Sequence, residues 1–222
     1  MEELVTGHSQ IMDRNDPEHR VGLIVDEWGA WYDVEPGTNP GFLYQQNTMR
    51  DAMVAAITLN VFMAHCDRVV MANLAQTVNV LQSVILTEGD KMVLTPTYHV
   101  FRLYRDHQGA RQLESYAETT LIGEGEDRVP DLHVSASEGT DGSILITVAN
   151  LDDRAARPLT VLLGGARAAG VTGQLLTGAA GACNDFAAPD RVSPKPLDAR
   201  LTDTGFTAEL PPCSVAAFRV QR

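Results

Sequence analysis

Apolar positions in the first hundred residues recur with more than one period. Leu4, Val5, His8, Ile11 and Met12 fall on one helical stripe over residues 1 to about 14. Asn15-Asp16-Pro17 ends that stripe, because proline disfavours helix in the residue before it. Val21-Gly22-Leu23-Ile24-Val25 then runs unbroken for the length of a strand, a pattern that predicts burial on both faces of a parallel sheet. A long polar and aromatic loop follows, from Ala30 to about Gln45. From about Asn47 to His65, Met49, Ala52, Met53, Ala56, Ile57, Val61 and Ala64 return at three- and four-residue spacing, which predicts a helix. A second short strand is expected over Arg68–Leu74. Residues Thr77–Leu94 are apolar but irregular, broken by Glu88-Gly89-Asp90. Thr95-Pro96 supplies an N-cap and first-turn proline for a helix to about His107.

After Gly109 the helical stripes vanish. Short runs separated by turns predict strands at Leu132–Ser137, Ile144–Asn150, Leu159–Leu163, Val171–Leu176, Phe206–Leu210 and Val215–Val220. Thr140-Asp141-Gly142-Ser143 is a hairpin signal, and most of the prolines lie beyond residue 129. The change of texture places a boundary near residues 108–112. Residues 1–109 read as about two strand–helix units of a parallel α/β sheet and residues 110–222 as a β-sandwich. Two such strands cannot bury both faces, and a closed eight-stranded barrel needs upwards of ~200 residues. The chain is therefore expected to be the end of something larger, either a truncated reading frame or one part of a split protein.

Composition narrows the partners. A formal charge of −12 argues against nucleic acid and anionic membrane. The beginning, Met1-Glu2-Glu3-Leu4, is acidic and lacks the apolar core of a secretory signal, so a soluble, unexported, cytoplasmic protein is expected. Cys66, Cys183 and Cys213 are far apart and fit no metal-ligand or disulfide spacing, which leaves them as structural thiols. No phosphate loop, Ser-His-Asp set or metal cluster is visible, and no cofactor is expected.

The chemistry concentrates at the end of the first strand, Asp26-Glu27-Trp28-Gly29. Polar residues at the carboxyl end of a buried strand are where α/β enzymes place their reagents. Neighbouring strand residues point to opposite faces, so only one of Asp26 and Glu27 is expected to meet a given cleft. The loop that follows carries Trp31 and Tyr32, which suit either a sugar-stacking platform or a pair of loop anchors. Asp33 and Glu35 read as solvated loop charges. His65 reads as a partner of a helix carboxyl end and His99 as a packing residue.

Three strings carry a specific resemblance: residues 25–48 (Val-Asp-Glu-Trp-Gly-Ala-Trp-Tyr through Gln-Gln-Asn-Thr), residues 67–80 (Asp-Arg-Val-Val-Met-Ala-Asn-Leu-Ala-Gln-Thr-Val-Asn-Val), and Leu94-Thr95-Pro96-Thr97-Tyr98-His99-Val100-Phe101. Together they resemble the α-L-arabinofuranosidases of glycoside hydrolase family 51. The likeness is dense to about residue 107 and looser beyond. It implies the C-terminal part of a (β/α)8 TIM barrel followed by a jelly-roll-like β-sandwich. The implied reaction is retaining, exo-acting release of terminal arabinofuranose from arabino-oligosaccharides.

The resemblance assigns the nucleophile to Glu27 and a sugar hydrogen bond to Gln76, and sets Trp28 and Trp31 in or beside the pocket. It also implies an arabinofuranosyl oligosaccharide as partner, with either a homo-oligomer (similar enzymes are often hexamers) or a complementing N-terminal half. One departure matters. The family's acid/base is a glutamate preceded by asparagine, and no Asn-Glu dipeptide occurs in this chain. Ala182-Cys183-Asn184-Asp185-Phe186 also departs from the loop usual in relatives. The expectation is an enzyme fragment inactive alone; a non-catalytic sugar-binding or assembly protein, or one half of a split enzyme, are the alternatives.

Overall fold

The computed structural model describes residues 1–222. Helix α1 (Glu2–Asn15) leads into strand β1 (Leu23–Trp28). Helix α2 (Met49–Ala64) is followed by β2 (Val69–Leu74), which pairs with β1 in parallel. A capping box formed by Thr48 and Asp51 opens α2. Arg68, just before β2, is almost fully buried and ties back to Asp13 and Asp16 at the end of α1. That pairing fixes α1 against the start of the parallel sheet.

The irregular stretch after β2 resolves as a hairpin of β3 (Ile85–Glu88) and β4 (Lys91–Leu94). The sequence interruption at Glu88-Gly89-Asp90 is its turn, with Gly89 at φ +59° in the first central position. Helix α3 (Pro96–Tyr104) begins as expected, with Thr95 accepting a hydrogen bond from the Tyr98 amide and Pro96 in the first turn.

The remainder is antiparallel. Strands β5 (Arg111–Leu113), β8 (Leu132–Glu138), β9 (Ile144–Asn150), β11 (Gly170–Thr177), β12 (Lys195–Leu197) and β15 (Ser214–Gln221) form one sheet in the order β12-β11-β15-β9-β8-β5. A second sheet of β10 (Arg157–Leu162), β13 (Ala199–Thr202) and β14 (Gly205–Leu210) runs in the order β10-β14-β13. A small ribbon joins β6 (Leu121–Ile122) to β7 (Val129–Pro130). The two larger sheets enclose a core in which Phe206 and Phe218 meet at 4.9 Å between ring centroids. Every residue of β9 is buried, because the other face of its sheet is covered as well. Leu145, Ala149, Leu176 and Val215 pack there in one apolar cluster with Ala52, Ala56 and Val100 of the helices. The small residues of α2 allow that close approach.

The fold is thus mostly sheet, with an antiparallel sandwich, and a TIM barrel is not present in this chain. Its one parallel sheet has two strands, too few to curve into a closed wall. The expected burial of β1 on both faces also fails. Leu23 and Val25 pack toward α2, while Ile24, Val70 and Met71 stand half or more exposed on the outer face, with no further element over them.

Candidate active site

The parallel pair converges on one shallow cavity of about 460 Å³, lined by Asp26 and Glu27 from the end of β1 and by Asn73, Leu74 and residues 75–78 after β2. Strict alternation would put the side chain of residue 27 on the same face as Leu23 and Val25. The pairing prevents it: Val25 stands opposite Ala72 and Trp28 opposite Leu74, so three steps on β1 match two on β2. This bulge turns Trp28 into the core and leaves Asp26 and Glu27 both exposed. Opposite orientations for the two carboxylates therefore do not hold; both residues line the cavity.

Gln76 lies just beyond the end of β2, exposed, and its side-chain amide makes no hydrogen bond within the chain. An amide left free in this way can offer both donor and acceptor to a ligand. Gly29 permits the backbone to leave β1 at φ +143°; a Cβ there would approach the Ala75 carbonyl oxygen at 3.3 Å. The Ala75 amide donates to the Trp28 carbonyl at 2.9 Å, which locks the two strand ends together.

The two tryptophans part company. Trp28 lies edge-on to Phe62 (5.6 Å between centroids) and stacked with Phe101 (6.0 Å), inside the packing of α2 and α3. Trp31 is largely in solvent. Tyr32 carries the Arg50 guanidinium 3.7 Å over its ring, which makes it a loop anchor, and burial raises its phenol above the ordinary value. Glu35 accepts a hydrogen bond from the Gln46 amide at 2.9 Å and is used in holding the loop. Neither Glu35 nor Asp33 lines the cavity. His65 pairs with Glu2 at 2.6 Å, and His99 is buried against the sandwich without a hydrogen bond.

Sequence reasoning missed the amides that hold the long loop. Gln82 is fully buried; its Oε1 accepts from the Ala30 amide at 2.7 Å and its Nε2 donates to the Asp51 carbonyl at 2.7 Å. Gln45 accepts from the Tyr32 amide at 3.0 Å and donates to the Ala30 carbonyl at 3.1 Å. Asn47 donates to the Leu81 carbonyl at 3.1 Å. The one signal available was the Gln-Gln-Asn run directly before a helix.

The sandwich reaches the same region. Carbonyls of Ala180 and Ala182 accept from the Arg50 and Met49 amides, satisfying the first turn of α2. Asn184, fully buried, donates to the Leu94 and Val192 carbonyls (2.8 and 2.9 Å) and accepts from the Val192 amide (2.7 Å). The unusual loop 182–186 is therefore a fixed joint between the two halves.

A carboxylate and a free amide at the carboxyl ends of adjacent parallel strands suit binding of a neutral polyhydroxyl ligand and nucleophilic attack on it. No helix of the chain is long and apolar enough to cross a membrane.

Comparison with known proteins gives a consistent picture. A family model described as the α-L-arabinofuranosidase C-terminal domain matches residues 26–214. An intracellular exo-α-L-arabinofuranosidase of Bacteroides ovatus is 41% identical over 224 residues, covering 100% of this chain and 44% of the relative. An intracellular exo-α-(1→5)-L-arabinofuranosidase of Streptomyces lividans is 26% identical, covering 99% of this chain and 35% of the relative. The crystal structure of the family 51 arabinofuranosidase of Xanthomonas axonopodis pv. citri superposes with a TM-score of 0.96 at 47% identity, covering 100% of this chain and 45% of that one. An arabinose complex of the Thermotoga maritima α-L-arabinofuranosidase gives a TM-score of 0.86 at 26% identity over 99% of this chain. The chain spans less than half the length of these relatives.

Proposed function

The chain belongs to the α-L-arabinofuranosidases of glycoside hydrolase family 51 and carries their C-terminal domain, and from that membership we propose that it supplies the nucleophile side of a retaining arabinofuranosidase site. On this reading β1 and β2 are neighbouring strands of a (β/α)8 barrel, residues 1–109 being its C-terminal part and residues 110–222 the sandwich. Chemistry in such barrels sits at the carboxyl ends of the strands, which is where Glu27 and Gln76 stand. That adjacency in one cleft is the observation that carries the proposal.

The Glu27 carboxylate attacks the anomeric carbon of a terminal α-L-arabinofuranosyl unit, and a covalent glycosyl ester forms as the bond to the leaving oxygen breaks. A second carboxyl about 5–5.5 Å away must protonate that oxygen and later activate water. The Asn-Glu dipeptide that carries this role in the family does not occur in these 222 residues; Glu35 is held by the Gln46 amide, and Asp26, the other carboxylate lining the cleft, adjoins Glu27 on the same strand end. Gln76 hydrogen-bonds the sugar; Trp31, exposed on the long loop and not among the residues lining the cleft, is assigned to the pocket by resemblance alone. Trp28, buried, holds Glu27 in place from behind. The substrate is an arabinofuranosyl-bearing oligosaccharide, met in the cytoplasm, as the word "intracellular" in two relatives' names supports.

The outer face of the parallel pair favours a compatible second reading. Ile24, Val70 and Met71 are apolar and uncovered, as expected where a complementing polypeptide adds further strands. The test is to supply the first part of a relative in trans and treat the assembly with a 2-deoxy-2-fluoro arabinofuranosyl inactivator. An adduct on the peptide containing Glu27 is expected; an adduct on another carboxylate overturns the assignment.

A further inference from the structure

Glu27 and Gln76 are both exposed, and neither side chain is held by a hydrogen bond of its own, so the direction of each is set by its backbone. The last bond between the two strand ends runs from the Ala75 amide to the Trp28 carbonyl at 2.9 Å. Beyond it the two segments part. A main-chain bond at an open rim does not by itself fix two side chains closely enough to meet one ligand.

Gln82 lies behind this rim, fully buried, and touches both ends. Its Oε1 accepts from the Ala30 amide, three residues after Glu27, at 2.7 Å. Its own backbone amide donates to the Ala75 carbonyl, next to Gln76, at 3.2 Å. Its Nε2 donates to the Asp51 carbonyl in the first turn of α2 at 2.7 Å and to Thr97 Oγ1 in the first turn of α3 at 3.3 Å. Gly29 leaves room for this arrangement: a Cβ there would lie 3.4 Å from the Gln82 side chain and 3.3 Å from the Ala75 carbonyl oxygen. One buried residue thus refers two strand ends and two helices to the same point. An amide suits the position because it satisfies a backbone N–H and a backbone carbonyl at once. Gln45 provides the contrast. Its side chain grips the same loop, through the Ala30 carbonyl and the Tyr32 amide, and bonds nothing on the β2 side.

We propose that Gln82 is a positioning residue for the Glu27–Gln76 pair, holding the two strand ends at the separation at which one sugar unit meets both. The inference rests on the reading of the Glu27 cleft as a retaining glycosidase site. It adds to that reading a residue that touches neither the substrate nor the reacting atoms. The carboxylate remains when Gln82 is replaced, but its approach to the anomeric carbon is no longer fixed.

The coupling is read first on the 222-residue chain alone, by amide hydrogen exchange in NMR spectra of Gln82→Met and Gln45→Met. In Gln82→Met, Asn47 still holds the Leu81 carbonyl and keeps the segment attached. The Ala75 and Gln76 amides donate to the Trp28 and Val80 carbonyls, not to the Gln82 side chain. They are expected to exchange about 10-fold faster in Gln82→Met and at the parent rate in Gln45→Met. Gln82→Glu keeps an acceptor for Ala30 and loses the donor to Asp51, and it gives the same pattern where Gln82→Met does not fold. The consequence for reaction is read on the chain joined in trans by the N-terminal part of a relative and treated with the 2-deoxy-2-fluoro inactivator. The rate constant for labelling Glu27 falls about 100-fold in Gln82→Met, as a displacement of about 1 Å can cost, while the half-saturating inactivator concentration changes by less than about 3-fold. Phe206→Leu, in the sandwich core, lowers stability and leaves that rate constant unchanged, because destabilisation reduces the fraction of protein labelled and not the rate in the folded fraction. A label on another carboxylate, or none, counts against the nucleophile reading only, and exchange on the chain alone then decides for Gln82. Unchanged Ala75 and Gln76 exchange in Gln82→Met, exchange raised equally by Gln45→Met, or an unchanged rate constant for labelling Glu27 overturns the proposal.

Discussion

Trp28 meets Phe62 edge-on at 5.6 Å between ring centroids, and this contact anchors the bulge that leaves Glu27 facing solvent. A buried indole next in sequence to an exposed carboxylate turns core packing into the orientation of a functional group. Trp28→Ala opens a cavity under the end of β1 and is expected to lower unfolding stability by about 3–5 kcal/mol. Trp28→Phe keeps much of the packing and loses less. Denaturant melts of the three proteins check the order; equal midpoints would show that the indole is not part of the core.

Gln82 joins the start of the long loop to α2. With Gln82→Leu, the Ala30 amide and the Asp51 carbonyl lose their buried partner. Leaving such groups unsatisfied costs about 1–3 kcal/mol each. The loop 30–45 is then expected to be cut faster by a broad-specificity protease and to exchange its amides faster, with the sandwich unchanged.

Asn184 makes three hydrogen bonds that hold the sandwich loop to the strand end at Leu94. Asn184→Ala is expected to destabilise the chain by about 2–4 kcal/mol, since buried carbonyls and an amide lose their partners together. Asp190→Ala, at an exposed position whose carboxylate makes no hydrogen bond or ion pair, serves as the control. A melt of Asn184→Ala that matches Asp190→Ala would remove the joint from the account.

His107 gives the chain a defined response to acid. Its Nδ1 lies 2.7 Å from Ser137 Oγ and its Nε2 3.0 Å from Thr147 Oγ1, and burial pushes the imidazole from 6.5 down to about 4. The unfolded imidazole takes up its proton near 6.5. Between the two values the unfolded state binds more protons, so this group's contribution is full above about 6.5, falls as the pH drops, and is gone below about 4. The loss is up to about 3 kcal/mol at 1.36 kcal/mol per unit. His107→Gln is expected to flatten the stability curve between pH 4 and 6.5; a curve identical to that of the parent would show that another group carries it.

Much of the fold was legible because burial and period agree in the inner elements. Strand β9 was read end to end, and β11, β14 and β15 to within a residue at each end, from unbroken or alternating apolar runs. Thr95-Pro96 marked the start of α3 through capping chemistry that needs no tertiary help. Strands β5, β6, β7, β12 and β13 escaped because they are short and largely exposed, and their pairing comes from neighbours that no local window contains. The hairpin β3–β4 escaped because its turn was read as a break. The bulge at Val25–Trp28 was illegible for a different reason: the unbroken apolar run before it carries no alternation to interrupt, and the shift is set by the partners Ala72 and Leu74 on the other strand. In the site, Glu27 and Gln76 were singled out through resemblance. The buried amides of Gln45, Asn47 and Gln82 were passed over, because polar residues between elements read as loop until their partners are seen.

The central claim is that Glu27 is the nucleophile of a site whose second carboxyl lies outside these 222 residues. The most direct measurement is hydrolysis of an aryl α-L-arabinofuranoside by the chain alone, and by the chain joined in trans by the N-terminal part of a relative, each with and without Glu27→Gln. No turnover is expected from the chain alone. Activity is expected on complementation, reduced about 10⁴-fold or more by Glu27→Gln. Turnover by the isolated chain that Glu27→Gln abolishes, or complemented activity that survives the substitution, would contradict the account.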